Sequence, residues 1–332
     1  MHEIISLNEK LFETDVEKET TRKGVGEGLL LAGEADPRVV VLTADLADST
    51  GVGEFRNKYP ERFIDVGVAE QNLVTVASGL ASAGKIPFAS SYAVFNPGRN
   101  WEQIRTTICY NNQPVKIIGS HGGVTVGADG ASHQMLEDIA LMRVLPRMIV
   151  LSPCDAIEMK KAIIESAKIE SPVYIRTDRD KTPIITSQAT PFEIGKARIF
   201  FKPKVGVRAD VGIIATGPLL YEALLAAKEL SEKGKNVKVL NISTIKPLDK
   251  DAILLLAHEA KALVTVENHQ IAGGLGSAVA ECLATEYPVP MEFIGVHDSF
   301  GQSGTPAELI KHYGMTKKDI IQAVNKVVLR KN

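Results

Sequence analysis

Residues 63–72, Phe63-Ile64-Asp65-Val66-Gly67-Val68-Ala69-Glu70-Gln71-Asn72, pass from a short β-branched run through a glycine turn into a segment of helical spacing. The run predicts a strand and residues 71–83 a helix packed on it. The passage recurs along the chain. Apolar strand candidates at Val39–Leu42, Ile86–Ala89, Val115–Ile118, Met148–Leu151 and Val173–Ile175 alternate with helical stretches at Trp101–Asn111, Gln134–Val144 and Ala156–Ile169. Continuous apolar strands separated by helices specify a parallel sheet covered on both faces, an α/β doubly wound domain.

Residues 181–208 interrupt this rhythm with Pro183, Pro191 and Pro203, and a linker is expected over 186–208. The rhythm resumes with strands at Val211–Ile214, Val237–Leu240, Ala262–Val266 and Met291–Ile294, and helices at Leu219–Lys233, Lys250–His258, Gly276–Thr285 and Lys317–Val328. The expected order is a polar lead-in over 1–20, a first domain over 21–185, and a smaller α/β domain over 209–332. A length of 332 residues accommodates two such domains.

Composition narrows the function. A formal charge of -2 gives no electrostatic case for nucleic acid or an anionic membrane. No run of eighteen apolar residues occurs, and the charged N-terminus lacks the apolar core of a signal peptide. Three widely spaced cysteines, Cys109, Cys154 and Cys282, fit a reducing cytoplasm better than a disulfide framework.

In open α/β sheets, ligands lie at the carboxyl ends of the strands. Here those ends carry Thr43–Gly51, Gly67–Asn72, Ser90–Asn96 and Gly119–Gln134. Alone, Glu70 is a helix-start carboxylate that suits the macrodipole. Alone, Tyr92 and Phe95 are core aromatics. The loop 119–134 is harder to read as structural. It holds His121 and His133 around Gly127-Ala128-Asp129-Gly130, and glycines admit backbone close to a ligand.

The string Asp65–Asn72, the pair Tyr92/Phe95 and the segment His121–Gln134 together resemble the transketolase family of thiamine-diphosphate enzymes. The resemblance implies that Glu70 bonds N1′ of the cofactor's aminopyrimidine, where proton sharing favours the tautomer that activates the thiazolium. It implies that Tyr92 and Phe95 surround the pyrimidine, with Asp45 beside the cofactor. His121 and His133 become proton-transfer and carbonyl-binding groups, and Asp129 a partner of a substrate hydroxyl. Arg179, at the end of Val173–Ile175, and Ser49 become ligands of a substrate phosphate. Arg99 is expected near the same site. Ala128 stands where many relatives have Glu.

The resemblance runs from about residue 20 onward and covers only the family's middle and C-terminal domains. The Gly-Asp-Gly…Asn segment that carries the diphosphate and its Mg²⁺ or Ca²⁺ is not found, so no metal ligand is assigned here. The family's N-terminal, diphosphate-binding part is expected as a partner subunit, joined with this chain as a dimer within a heterotetramer. The expected chemistry is ketol transfer between sugar phosphates in the pentose phosphate pathway. Two alternatives are a 1-deoxy-xylulose-5-phosphate synthase half and a non-catalytic binding module. Against the synthase, Ser120-His121-Gly122-Gly123 stands where its loop has Asp-Arg-Ala-Gly. Against the module, the whole constellation occurs together.

Overall fold

The computed structural model describes residues 6–331. A seven-stranded sheet runs, in spatial order, Thr244–Lys246, Ile149–Leu151, Val173–Arg176, Lys116–Ser120, Ile86–Tyr92, Val39–Thr43 and Phe63–Asp65. All neighbours are parallel except the first pair. Every residue of Val39–Thr43 is buried, as a strand covered on both faces requires. The chain order reverses at Val39–Thr43, with Phe63–Asp65 on one side and Ile86–Tyr92 on the other. That topological switch point opens a crevice at the carboxyl ends.

The second sheet runs Met291–Val296, Leu263–Gln270, Val211–Ala215, Val237–Asn241 and Arg198–Phe201. Its last strand is antiparallel and lies inside the segment expected to be a linker. The edge strand Thr244–Lys246 comes from the second half of the chain and pairs with Ile149–Leu151 of the first sheet. One apolar cluster joins the halves, with Val150 and Tyr174 packed alongside Ile245 and Leu256. The described part of the lead-in is not helical. Lys18–Thr20 forms a two-stranded ribbon with Lys181–Pro183.

Two devices fix the crevice. Helix Thr21–Ala35 crosses helix Ala156–Ala167 so closely that a Cβ on Gly24 would meet the Ala156 carbonyl at 2.2 Å, and one on Gly28 would meet Ile163 Cβ at 2.7 Å. Thr20 caps the first helix by accepting from the Lys23 amide, which sets its first turn at the crevice rim. The second device is a buried polar knot. Asp138 Oδ2 accepts from Tyr174 OH at 2.7 Å and from Arg176 Nε at 2.9 Å, and Arg176 Nη2 donates to the Asn268 carbonyl at 2.8 Å. Arg176 is therefore an interior strut between the halves, not a solvated side chain. Removing either partner of such a buried pair costs about 3–5 kcal/mol.

Candidate active site

Glu70 is the first residue of helix Glu70–Ser82, which lays Leu73, Val74, Ala77 and Ala81 against the sheet. The turn before it is fixed by Asp65, whose Oδ1 accepts from the Gly67 amide at 2.9 Å and the Asp45 amide at 3.0 Å. Gly67 has φ 70°, a left-handed conformation that suits glycine. The same two bonds clamp the first and second strand-end loops together. Asp45 itself has φ 60° and an exposed side chain. Asn100 Nδ2 donates to the Glu70 carbonyl at 2.8 Å and to Asn96 Oδ1 at 3.0 Å. The Glu70 side chain is 2% exposed, and its Oε2 meets Arg99 Nη1 at 2.7 Å. It opens into a hollow of about 520 Å³ lined by Val68, Gln71, Asn72, Arg99 and Gln103.

The aromatic and imidazole groups gather beside this carboxylate. Tyr92 and Phe95 lie nearly parallel with centroids 6.3 Å apart. Tyr92 stacks on His121 at 3.8 Å, and Phe95 meets His133 edge-on at 5.7 Å. Each histidine is steadied by the serine before it. Ser120 Oγ lies 2.8 Å from His121 Nδ1, and Ser132 Oγ lies 2.9 Å from His133 Nδ1. Each ring then has Nε2 left for a ligand. Burial, reinforced by Arg22, Arg179 and His133, pushes the His121 pKa down to about 3, so its ring is neutral at ordinary pH.

A cationic rim closes the other side. Arg22 was not among the sequence candidates. Its Nη1 donates to the Ser49 carbonyl at 2.7 Å and its Nη2 to the Arg179 carbonyl at 3.0 Å, while its Nε is buried without a partner. Burial and the adjacent Arg179 depress the Arg22 guanidinium, partly offset by Tyr92. Arg179 donates to the Val126 carbonyl and lies 3.4 Å from Asp129. The structure thus ties Ser49 and Arg179 to Arg22 through their carbonyls, with Asp129 set against Arg179. Two guanidinium forks with one free buried N–H form a site suited to an anionic end group.

The second half of the chain supports this loop from behind. Asn268 Oδ1 accepts from the Val124 amide at 3.0 Å, and Asn268 Nδ2 approaches Thr125 Oγ1 and Asp178 Oδ1 at 3.3 and 3.4 Å. Gln134 Nε2 donates to Val124, Gly127 and Gln302 carbonyls. Those bonds hold Gln134 in the loop, and the helix expected from Gln134 is confined to Asp138–Arg143. Glu267 caps helix Leu275–Glu286 by accepting from the Leu275 and Gly276 amides, both at 2.7 Å. Asn96, Asn100 and Asn268 carry no motif of their own, and nothing in the sequence singles them out.

The sheet order and the crevice chemistry define a two-domain α/β protein that pairs a buried helix-start carboxylate with aromatics, histidines and arginines. Family models for the transketolase pyrimidine binding domain and the transketolase C-terminal domain match residues 17–184 and 204–320. The chain belongs to the transketolase family. It is 40% identical to the 6-deoxy-6-sulfo-D-fructose transketolase subunit SqwH of Clostridium sp. (strain MSTE9), over 97% of this chain and 98% of that one. It is 37% identical to the transketolase of Rattus norvegicus, over 95% of this chain but only 50% of that one. A solved structure titled split gene transketolase, inactive beta4 tetramer superimposes with a TM-score of 0.87 at 44% identity, covering 94% of this chain and 99% of that one. The chain is thus a transketolase subunit of the split type.

Proposed function

We propose that this subunit supplies the pyrimidine side and the substrate loop of a split transketolase, which moves a two-carbon ketol unit from a ketose phosphate to an aldose phosphate. The single observation that carries the reading is Glu70. It is a carboxylate 2% exposed, aimed into a hollow, with the Phe95 face beside it. These residues fit thiamine diphosphate, on which the family depends: a buried carboxylate for pyrimidine N1′ and an aromatic face for the ring. When bound, the cofactor supplies the nucleophilic carbon and the electron sink.

The chain's own groups then have distinct tasks. Glu70 holds the proton at N1′. Neutral His121, with His133 beside it, offers Nε2 to the donor carbonyl and the substrate hydroxyl, and the two rings take and return protons there. Asp129 accepts from a sugar hydroxyl. Arg22 and Arg179 hold the terminal anion, with Ser49 beside them. A phosphate dianion gains more from two guanidinium groups than a sulfonate does. Sugar phosphates such as xylulose 5-phosphate and ribose 5-phosphate are therefore the substrates we place first, in the pentose phosphate pathway of the cytoplasm. The diphosphate and its Mg²⁺ or Ca²⁺ fall to the N-terminal transketolase subunit, in a heterotetramer of two copies of each chain.

The test is Glu70→Ala in the reconstituted complex. Assembly is expected to persist and ketol transfer to be lost. Retained turnover would remove Glu70, and the reading built on it, from consideration.

A further inference from the structure

Arg99 makes two contacts that belong together. Its Nη1 lies 2.7 Å from Glu70 Oε2, and its guanidinium carbon sits over the Phe95 ring, 4.7 Å from the centroid. A flat, cationic, nitrogen-rich group thus lies over an aromatic face while donating to a buried carboxylate. On the function proposed above, a pyrimidine ring makes the same two contacts: a flat ring on Phe95 and a nitrogen on Glu70. The guanidinium also satisfies a physical need of the unassembled chain, because a carboxylate 2% exposed is costly without a cation. Arg99 itself is half exposed and can withdraw toward solvent. Gln103 lines the same hollow, and its Oε1 is buried without a partner.

We propose that Arg99 is a placeholder for the cofactor's pyrimidine. It occupies that seat, keeps Glu70 paired while the seat is empty, and must leave when the cofactor enters. The inference rests on the proposed function, since without a pyrimidine at Glu70 there is nothing to displace Arg99. It separates Arg99 from a residue that merely helps bind the cofactor, because the two roles predict opposite signs. A placeholder competes with the cofactor and stabilises the empty chain. A helper favours the cofactor.

The experiment uses the complex with its diphosphate-binding partner, thiamine diphosphate and Mg²⁺, with calorimetry to read affinity. Trp101, the chain's single tryptophan and two residues from Arg99, gives an independent fluorescence signal. Arg99→Gln is expected to tighten cofactor binding by about threefold to tenfold, the range for loss of one partly exposed charge-assisted contact. The same substitution is expected to lower the melting temperature of the free chain. Should Arg99→Gln fold poorly, Arg99→Lys carries the test: it keeps a charge near Glu70 but loses the flat stack, so tightening is smaller and of the same sign. Cofactor binding that is unchanged or weaker in the folded variants overturns the placeholder while leaving the proposed function standing. A wild-type complex that assembles but binds no thiamine diphosphate overturns both.

Discussion

Asn268 lies in the second half of the chain and acts on the loop of the first, so its replacement tests how the site is built. In Asn268→Ala the buried Val124 amide loses its acceptor, now at 3.0 Å. An orphaned buried N–H costs about 1–3 kcal/mol. The two longer donations at 3.3 and 3.4 Å add little, and the vacated space beside Gly123 adds a small cavity term. A loss of roughly 2–3 kcal/mol is expected. Asn268→Asp keeps the acceptor but turns the donating side into an oxygen 3.4 Å from Asp178 Oδ1. Two carboxylates at that distance repel by about 5 kcal/mol at an effective dielectric of about 20. Burial already raises the Asp178 pKa. A carboxyl raised in the fold binds protons more tightly than when unfolded, so stability falls as pH rises through its range. Asn268→Asp should therefore be less stable than Asn268→Ala at pH 8, with the gap closing toward pH 5. Urea unfolding of the free chain at both pH values measures this. An Asn268→Ala stability within about 0.5 kcal/mol of wild type, or Asn268→Asp above Asn268→Ala at pH 8, would refute the support that Asn268 gives the loop.

Other outcomes follow from the same geometry. Gly24→Val drives a side chain into the Ala156 carbonyl, with the Cβ at 2.2 Å, and should lower stability by about 3 kcal/mol in thermal or urea unfolding; a silent substitution would contradict the close helix crossing. His121, depressed to about 3, should show no NMR titration between pH 5 and 8. The unfolded chain takes up this proton near pH 6.5, so stability falls as pH drops from there toward 3; His121→Gln should flatten that acid limb, and an unchanged limb would count against it. Arg179→Ala should raise KM for a phosphorylated sugar by about tenfold or more while sparing the free sugar, and Arg22→Ala should do the same. Equal losses on both sugars would remove the phosphate role.

The sheets were legible because parallel strands are apolar throughout: Val39–Thr43 and Val211–Ala215 are fully buried runs. Arg198–Phe201 sits among prolines and polar residues, so its short β-like run reads as part of a linker; an edge strand needs only one neighbour to form. Thr244–Lys246 was hidden because three residues carry no period, and its partner strand lies in the other half of the chain. Within the site, Glu70, Tyr92, Phe95 and the two histidines stood out through the resemblance of their surrounding strings to transketolases. Arg22 did not, since its place depends on a helix start and on the Gly24–Ala156 contact, neither of which marks an arginine as special. Arg176 and Asn268 were equally silent, because their partners lie 38 and 144 residues away. Long-range polar partners leave no local pattern.

The central claim is that this chain carries half of a ketol-transfer site. The direct measurement is transketolase activity, with xylulose 5-phosphate and ribose 5-phosphate, of the chain alone, of its diphosphate-binding partner alone, and of the mixture with thiamine diphosphate and Mg²⁺. Cofactor-dependent activity is expected in the mixture and none in either chain alone. An assembled, cofactor-loaded complex that transfers no two-carbon unit from any ketose phosphate would contradict it.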